Sequence, residues 1–168
     1  MSINELQEYT RIAKYAKYLP ELKRRETWKE QVTRVFDMHR EKFEDNEEIM
    51  PFISEAEAAV QKKEVLGSQR ILQFGGDPIF KHNARVYNCG FGHINRTRAF
   101  QELMYLLLCG CGIGFSVQSH HVAQLSPIAH PNFLSRTFVV PDSIEGWSDA
   151  IGVLVASYFG GPSEFDEY

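Results

Sequence analysis

A chain of 168 residues, 43% hydrophobic and 24% charged, has the composition of a soluble globular protein and is long enough to bury a core. Its net charge of −4 argues against a general binder of nucleic-acid backbone, so direct DNA binding is not expected; the longest strongly apolar run, Leu103 to Cys109, is far too short to cross a bilayer, so neither is membrane insertion. Three cysteines without framework spacing, and an N-terminus with no basic region followed by an apolar stretch, point to a reducing, cytoplasmic setting.

Residues 1–66 are highly charged and read as helical, and form the first expected domain. Thr27-Trp28-Lys29-Glu30 has the form of a capping box, in which a hydroxyl and a carboxylate each satisfy a free backbone N–H. Val32, Val35, Phe36 and Phe43 follow at roughly helical spacing, while Arg34, Asp37, Arg40, Glu41 and Lys42 are expected to face water. Pro51 is expected to interrupt. Ser54-Glu55-Ala56-Glu57 then reads as a second capping box, opening a helix that stops near Gly67.

The pattern changes over 67–168, the second expected domain. Arg70–Phe74 and Val86–Phe91 are short apolar or aromatic runs bounded by turn residues, which predicts strands or extended segments. Thr97–Cys109 is the clearest apolar helix, with Gly110 as its stop. Ile113–Val117 reads as a buried strand and Arg136–Val140 as another. A helix over Ser143–Phe159 is expected, capped by Asp142 and ended by Gly160-Gly161. Strand, helix, strand, strand, helix is an α/β order. Two or three strands are few for a parallel sheet with both faces covered, so the architecture looks unfinished within these residues.

Three stretches carry candidate chemistry. Cys89 lies in Tyr87-Asn88-Cys89-Gly90-Phe91, placed by small and aromatic neighbours near a strand end, where Asn88 is able to bond a phosphate, a ribose hydroxyl or its own backbone. A lone cysteine is more often a small core hydrophobe than a reagent, and the residues alone favour that reading. Cys109-Gly110-Cys111-Gly112-Ile113-Gly114-Phe115-Ser116 has alternating glycines that would let backbone N–H groups approach a ligand closely. The helix precedes the strand there, the reverse of a dinucleotide fingerprint, and tight helix-to-strand packing accounts for the glycines equally well. Cys109 and Cys111 with His120-His121 lack the spacing of a structural zinc site. His39, His82, His93 and His130 form no recognisable set, and Gln73-Phe74-Gly75-Gly76-Asp77 reads as a turn.

In order, these stretches resemble one family. Arg24-Arg25-Glu26-Thr27-Trp28 with Glu30 and Val32, then Gln73-Phe74-Gly75-Gly76, Asn83, Arg85 and Asn88-Cys89, are similar to the N-terminal region and the approach to the first barrel cysteine of class II, adenosylcobalamin-dependent ribonucleotide reductases. Phe100 through Gly110, Gly112-x-Gly114-Phe115-Ser116-Val117, Val122-Ala123-Gln124-Leu125 and Asp142-Ser143-x-Glu145-Gly146-Trp147-Ser148-Asp149-Ala150 continue the likeness, which runs over about residues 20–166.

The resemblance implies a helical N-terminal region followed by the first strands and helices of a ten-stranded α/β barrel, incomplete in this chain. It implies an oxidoreductase that makes 2′-deoxyribonucleotides by thiyl-radical chemistry, with Cys89 as the N-terminal member of the substrate-reducing thiol pair. Asn88, Gly112, Ile113, Gly114, Phe115 and Ser116 would lie along a ribonucleoside di- or triphosphate. Adenosylcobalamin would be bound mainly outside this portion. A complementary C-terminal reductase chain and a thioredoxin-like reductant are the implied partners, since the thiyl cysteine, the second reducing cysteine and the catalytic carboxylate have no counterpart here. The alternative is a non-catalytic nucleotide-binding or interaction module derived from the same fold.

Overall fold

A computed structural model of the chain describes residues 2–129 and 137–159. The chain divides between Val86 and Tyr87 into two compact units. Among the described residues no helix is long and apolar enough to cross a membrane.

The first unit is mainly helical. Helix α1 (Ile3–Lys14) opens on a capping box of Ser2 and Glu5. A two-residue antiparallel ladder joins β1 (Tyr18–Leu19) to β2 (Arg24–Arg25). Helix α2 (Trp28–Lys42) begins at the expected box, with Thr27 Oγ1 accepting from the Glu30 N–H and Glu30 accepting from the Thr27 N–H. It is the centre of this unit: Gln31 and Val32 are fully buried, and Val35 and Met38 nearly so. Helices α3 (Met50–Gln61), α4 (Gln69–Phe74) and α5 (Asp77–Lys81) follow, then a 3₁₀ turn at Asn83–Val86.

Several expectations are corrected here. Pro51 does not interrupt a helix but sits in the first turn of α3, where its missing N–H costs nothing. Ser54 is therefore interior, its hydroxyl donating to the Met50 carbonyl, and the second capping box does not exist. Helix α3 ends at Gln61, well before Gly67, with Lys63 taking a positive φ of 61°. Arg70–Phe74 is helical rather than extended. A short apolar run does not discriminate the two, and distant donors decide it: Gln31 Nε2 and Arg34 Nη2 bond the Leu72 carbonyl that a six-residue helix leaves without an internal partner.

Arg34 does not face water. Its guanidinium donates to both Glu26 carboxylate oxygens, at 2.7 and 3.0 Å, and to the carbonyls of Leu72 and Gly75, both at 2.8 Å. Lys17 adds its backbone N–H to Glu26 and its ammonium to the Gly75 carbonyl. The turn expected at Gln73–Asp77 is confined to Gly75-Gly76, Gln73 and Phe74 ending α4 and Asp77 opening α5; it is anchored at the Gly75 carbonyl, with Gly76 at φ 87°.

The second unit is a β-α-β arrangement with two further helices. Strand β3 (Cys89–His93) and strand β4 (Gly112–Ser116) pair in parallel, connected by α6 (Arg98–Leu108). A parallel pair requires a crossover of this kind. Gly110, at φ 87°, turns the chain after α6 as expected. A short helix α7 (Ser119–Val122) follows β4, and α8 (Ile144–Ala156) packs along α6.

Three boundaries differ from expectation. Strand β3 starts at Cys89, because Asn83–Val86 is taken up by the 3₁₀ turn. Thr137–Val140 has no regular structure, and the remainder of the Arg136–Val140 prediction lies outside the described residues. Helix α8 is capped by Ser143, whose Oγ accepts from the Gly146 N–H at 2.9 Å, rather than by Asp142, and it ends at Ala156; Gly160-Gly161 lie outside the described residues.

Candidate functional site

The residues singled out in the sequence converge on the β3–β4 pair. Cys89 opens β3 directly opposite Gly112, and the Gly112 N–H donates to the Asn88 carbonyl at 2.9 Å. The register continues Gly90 with Ile113, Phe91 with Gly114, Gly92 with Phe115 and His93 with Ser116. Side chains alternate between faces along a strand. A Cβ on Gly92 would lie 3.2 Å from Leu103 of α6, and one on Gly90 would lie 3.0 Å from Ile113, so the Gly90 and Gly92 positions look toward the helix. Cys89, Phe91 and His93 share the other face with Gly112, Gly114 and Ser116. Cys89 is exposed, and Phe91 is 67% exposed.

This arrangement sorts the three cysteines. None is in a disulfide; Cys89 is exposed, while Cys109 and Cys111 are buried at 0% and 4%. Beside the thiol of Cys89 lies a strand with no side chain at Gly112 and Gly114. At Gly112, beside the thiol, its backbone is approachable by a bound molecule on that face, while the Phe91 ring lies against Gly114. Ile113 and Phe115, both in the substrate strip expected from the sequence, lie on the other side of the strand, level with Gly90 and Gly92.

The far end of the same face holds a group that the sequence reading did not assemble. In the sequence His93 belongs to no recognisable set. It closes β3, its ring centroid 4.2 Å from that of His121, which in turn lies 4.0 Å from His120. His121 Nδ1 is 3.0 Å from Ser116 Oγ, and Phe91 meets His93 edge-on at 5.2 Å. The signal in the sequence was the adjacent pair His120-His121 just after a strand; the missing link was the register bringing His93 level with Ser116. Desolvation holds the His121 ring below the ordinary histidine value, and the neighbouring His120 and His93 push the same way. Among the described residues no group of His, Cys, Asp and Glu is placed to hold a metal ion.

No protein-family model matches the chain, and no curated protein matches it. A solved structure does: the crystal structure of a B-12 dependent (class II) ribonucleotide reductase superposes with a TM-score of 0.75 at 22% identity, over 90% of this chain. The chain has the fold of part of a class II ribonucleotide reductase. It spans 30% of the length of that solved reductase chain. The mixed helices and small open sheets of both units are accounted for by the reductase fold, although the sequence likeness is low.

Proposed function

We propose that this chain is the N-terminal portion of a ribonucleotide reductase, and that Cys89 is one of the two thiols that reduce the substrate. One observation carries the reading: within a reductase-like fold, the exposed thiol stands at the start of a strand beside a glycine-rich neighbour. On this reading β3 and β4 are the first strands of a ten-stranded barrel. The remaining strands, the thiyl cysteine and the second reducing thiol come from sequence outside these 168 residues, on a complementary reductase chain. The substrate is a ribonucleoside di- or triphosphate.

In the reaction the ribose C2′–O bond breaks and its oxygen leaves as water, while a C2′–H bond forms. Cys89 and its partner thiol together give up two electrons and two protons and become a disulfide, which a thioredoxin-like protein reduces for the next turnover. Asn88 and Gly112 border the thiol, Gly114 and Ser116 continue along its face, and together they would position the ribose and phosphates. Ile113 and Phe115 would support the strand from behind.

Adenosylcobalamin is the radical source that class II chemistry implies. The groove of about 510 Å³ between α6 and α8, lined by Arg98, Glu102, Tyr105, Leu106, Glu145 and Asp149, is too small for a cofactor of that size. On this reading the cofactor is bound mainly by sequence outside these residues.

The test is Cys89→Ser in the assembled reductase, supplied with a thioredoxin-like reductant. Multiple turnover is expected to be lost. Turnover at the unsubstituted rate would overturn the role and leave a nucleotide-binding or interaction module as the reading.

A further inference from the structure

We propose that His93, His120 and His121, with Ser116, form a binding site for the polyphosphate of a nucleotide, at the opposite end of the strand face from Cys89. The inference rests on the reading of that face as a nucleotide site. It adds residues from β3 and α7 that lie outside the Asn88 and Gly112–Ser116 strip.

The geometry has three parts. Three imidazoles are clustered with ring centroids 4.0 and 4.2 Å apart and planes tilted by 53° and 64°, and the described residues place no carboxylate in an ion pair with any of them. The groups that face His121 are His93 from β3, Ser116 from β4 and His120 from α7; Phe91 lies against His93, and Gln124 donates to the His120 carbonyl. None supplies negative charge. A cluster of this kind gains a second proton only at the cost of like-charge repulsion, unless an anion binds. With Nδ1 of His121 engaged by Ser116, Nε2 is the nitrogen left to meet a ligand.

The second part is distance. Cys89 and His93 are four residue steps apart along β3, about 13 Å at roughly 3.3 Å per residue. That is the order of the reach from a ribose to the end of its extended polyphosphate. The third is the surface between them: Gly112 and Gly114 on the facing strand carry no side chains of their own, and the Phe91 ring, 3.5 Å from the Cβ position of Gly114, is what a molecule spanning the face would lie against.

The experiment is a histidine NMR titration of the full chain between pH 5 and 8, with and without inorganic tripolyphosphate. Binding is expected to raise the titration midpoints of His93, His120 and His121 by about one pH unit, equivalent to roughly tenfold tighter binding to the protonated site. His39 and His82, in the other unit, are expected not to move. His121→Gln is expected to weaken tripolyphosphate binding at pH 6 by about tenfold, the scale of one charge-assisted hydrogen bond. Unchanged midpoints, or equal shifts at every histidine, would overturn the site.

A parallel measurement separates this inference from the reading beneath it. Protection of Cys89 from alkylation by a ribonucleoside triphosphate, but not by tripolyphosphate, is expected if one nucleotide spans the face. Histidine shifts without such protection would keep the anion site and sink its link to the thiol; protection without histidine shifts would sink the anion site alone.

Discussion

Glu26 is 4% exposed, and both oxygens of its carboxylate are bonded, by Arg34 and by the Lys17 N–H. Removing one partner of such a pair leaves a buried charge alone. Glu26→Gln is therefore expected to destabilise the chain by about 3–5 kcal/mol, read as a drop in the urea midpoint. Arg34→Lys should recover little of that, since a single ammonium is unable to reach two carboxylate oxygens and two carbonyls together. In the sequence Arg34 sat among charged residues on a helix and read as a solvated position. Nothing local marks it otherwise, because its partners lie eight residues before it and about forty after it. Cys89 shows the converse. By composition it passes for a core residue, the ordered motifs around it argue for a reducing thiol, and the structure finds it exposed.

At the scale of elements, what was legible was what is settled within one turn. The Thr27 box was read correctly because hydroxyl and carboxylate are three residues apart and both bonds are local. Thr27→Ala is expected to cost about 1 kcal/mol, measured by thermal or urea unfolding. Arg24 and the Thr27 backbone and hydroxyl hold the Glu30 carboxyl well below its usual value. Its contribution is thus complete above the unfolded carboxylate range near pH 4.3 and is lost as pH falls toward the folded value. Helix α4 was misread because a six-residue apolar run has too little length to show a period, and because the donors that finish it arrive from α2. The start of α8 was off by one residue, two adjacent capping side chains, Asp142 and Ser143, having competed for the position. That start is also closely packed: a Cβ at Gly146 would fall 2.4 Å from the Pro141 carbonyl oxygen. Gly146→Ala is expected to cost about 1–3 kcal/mol or more, with loss of α8 helicity by circular dichroism.

For the whole molecule the β3–α6–β4 order, α8 and the glycine turn at Gly110 came through, whereas the helices at Gln69–Lys81 and the packing inside each unit did not. The pH response belongs at this scale, since it sums over both units. Burial keeps His39 below the ordinary histidine value, and desolvation with two neighbouring imidazoles does the same for His121. Both lowered values mean that the unfolded chain takes up protons more readily than the folded one. Their penalty is absent above about pH 6.5, grows as pH falls through that point, and levels off below the folded values. A melting temperature that declines from pH 7 to pH 5 is expected, with the decline reduced in His39→Gln. A melting temperature flat over that interval would refute the assignment.

The sorting of the cysteines by burial has a practical reading in reagent stoichiometry. One thiol is exposed and two are enclosed, so a native sample should consume one equivalent of a bulky thiol reagent quickly and three only after denaturant is added. Oxidation of the native chain by itself offers Cys89 no exposed partner on the same molecule. Its first product should be a mixed disulfide with a small thiol, or a covalent dimer through Cys89 seen on a non-reducing gel. The same count gives a colourimetric measure of unfolding, in which every enclosed sulfur that reacts reports on the opening of the second unit.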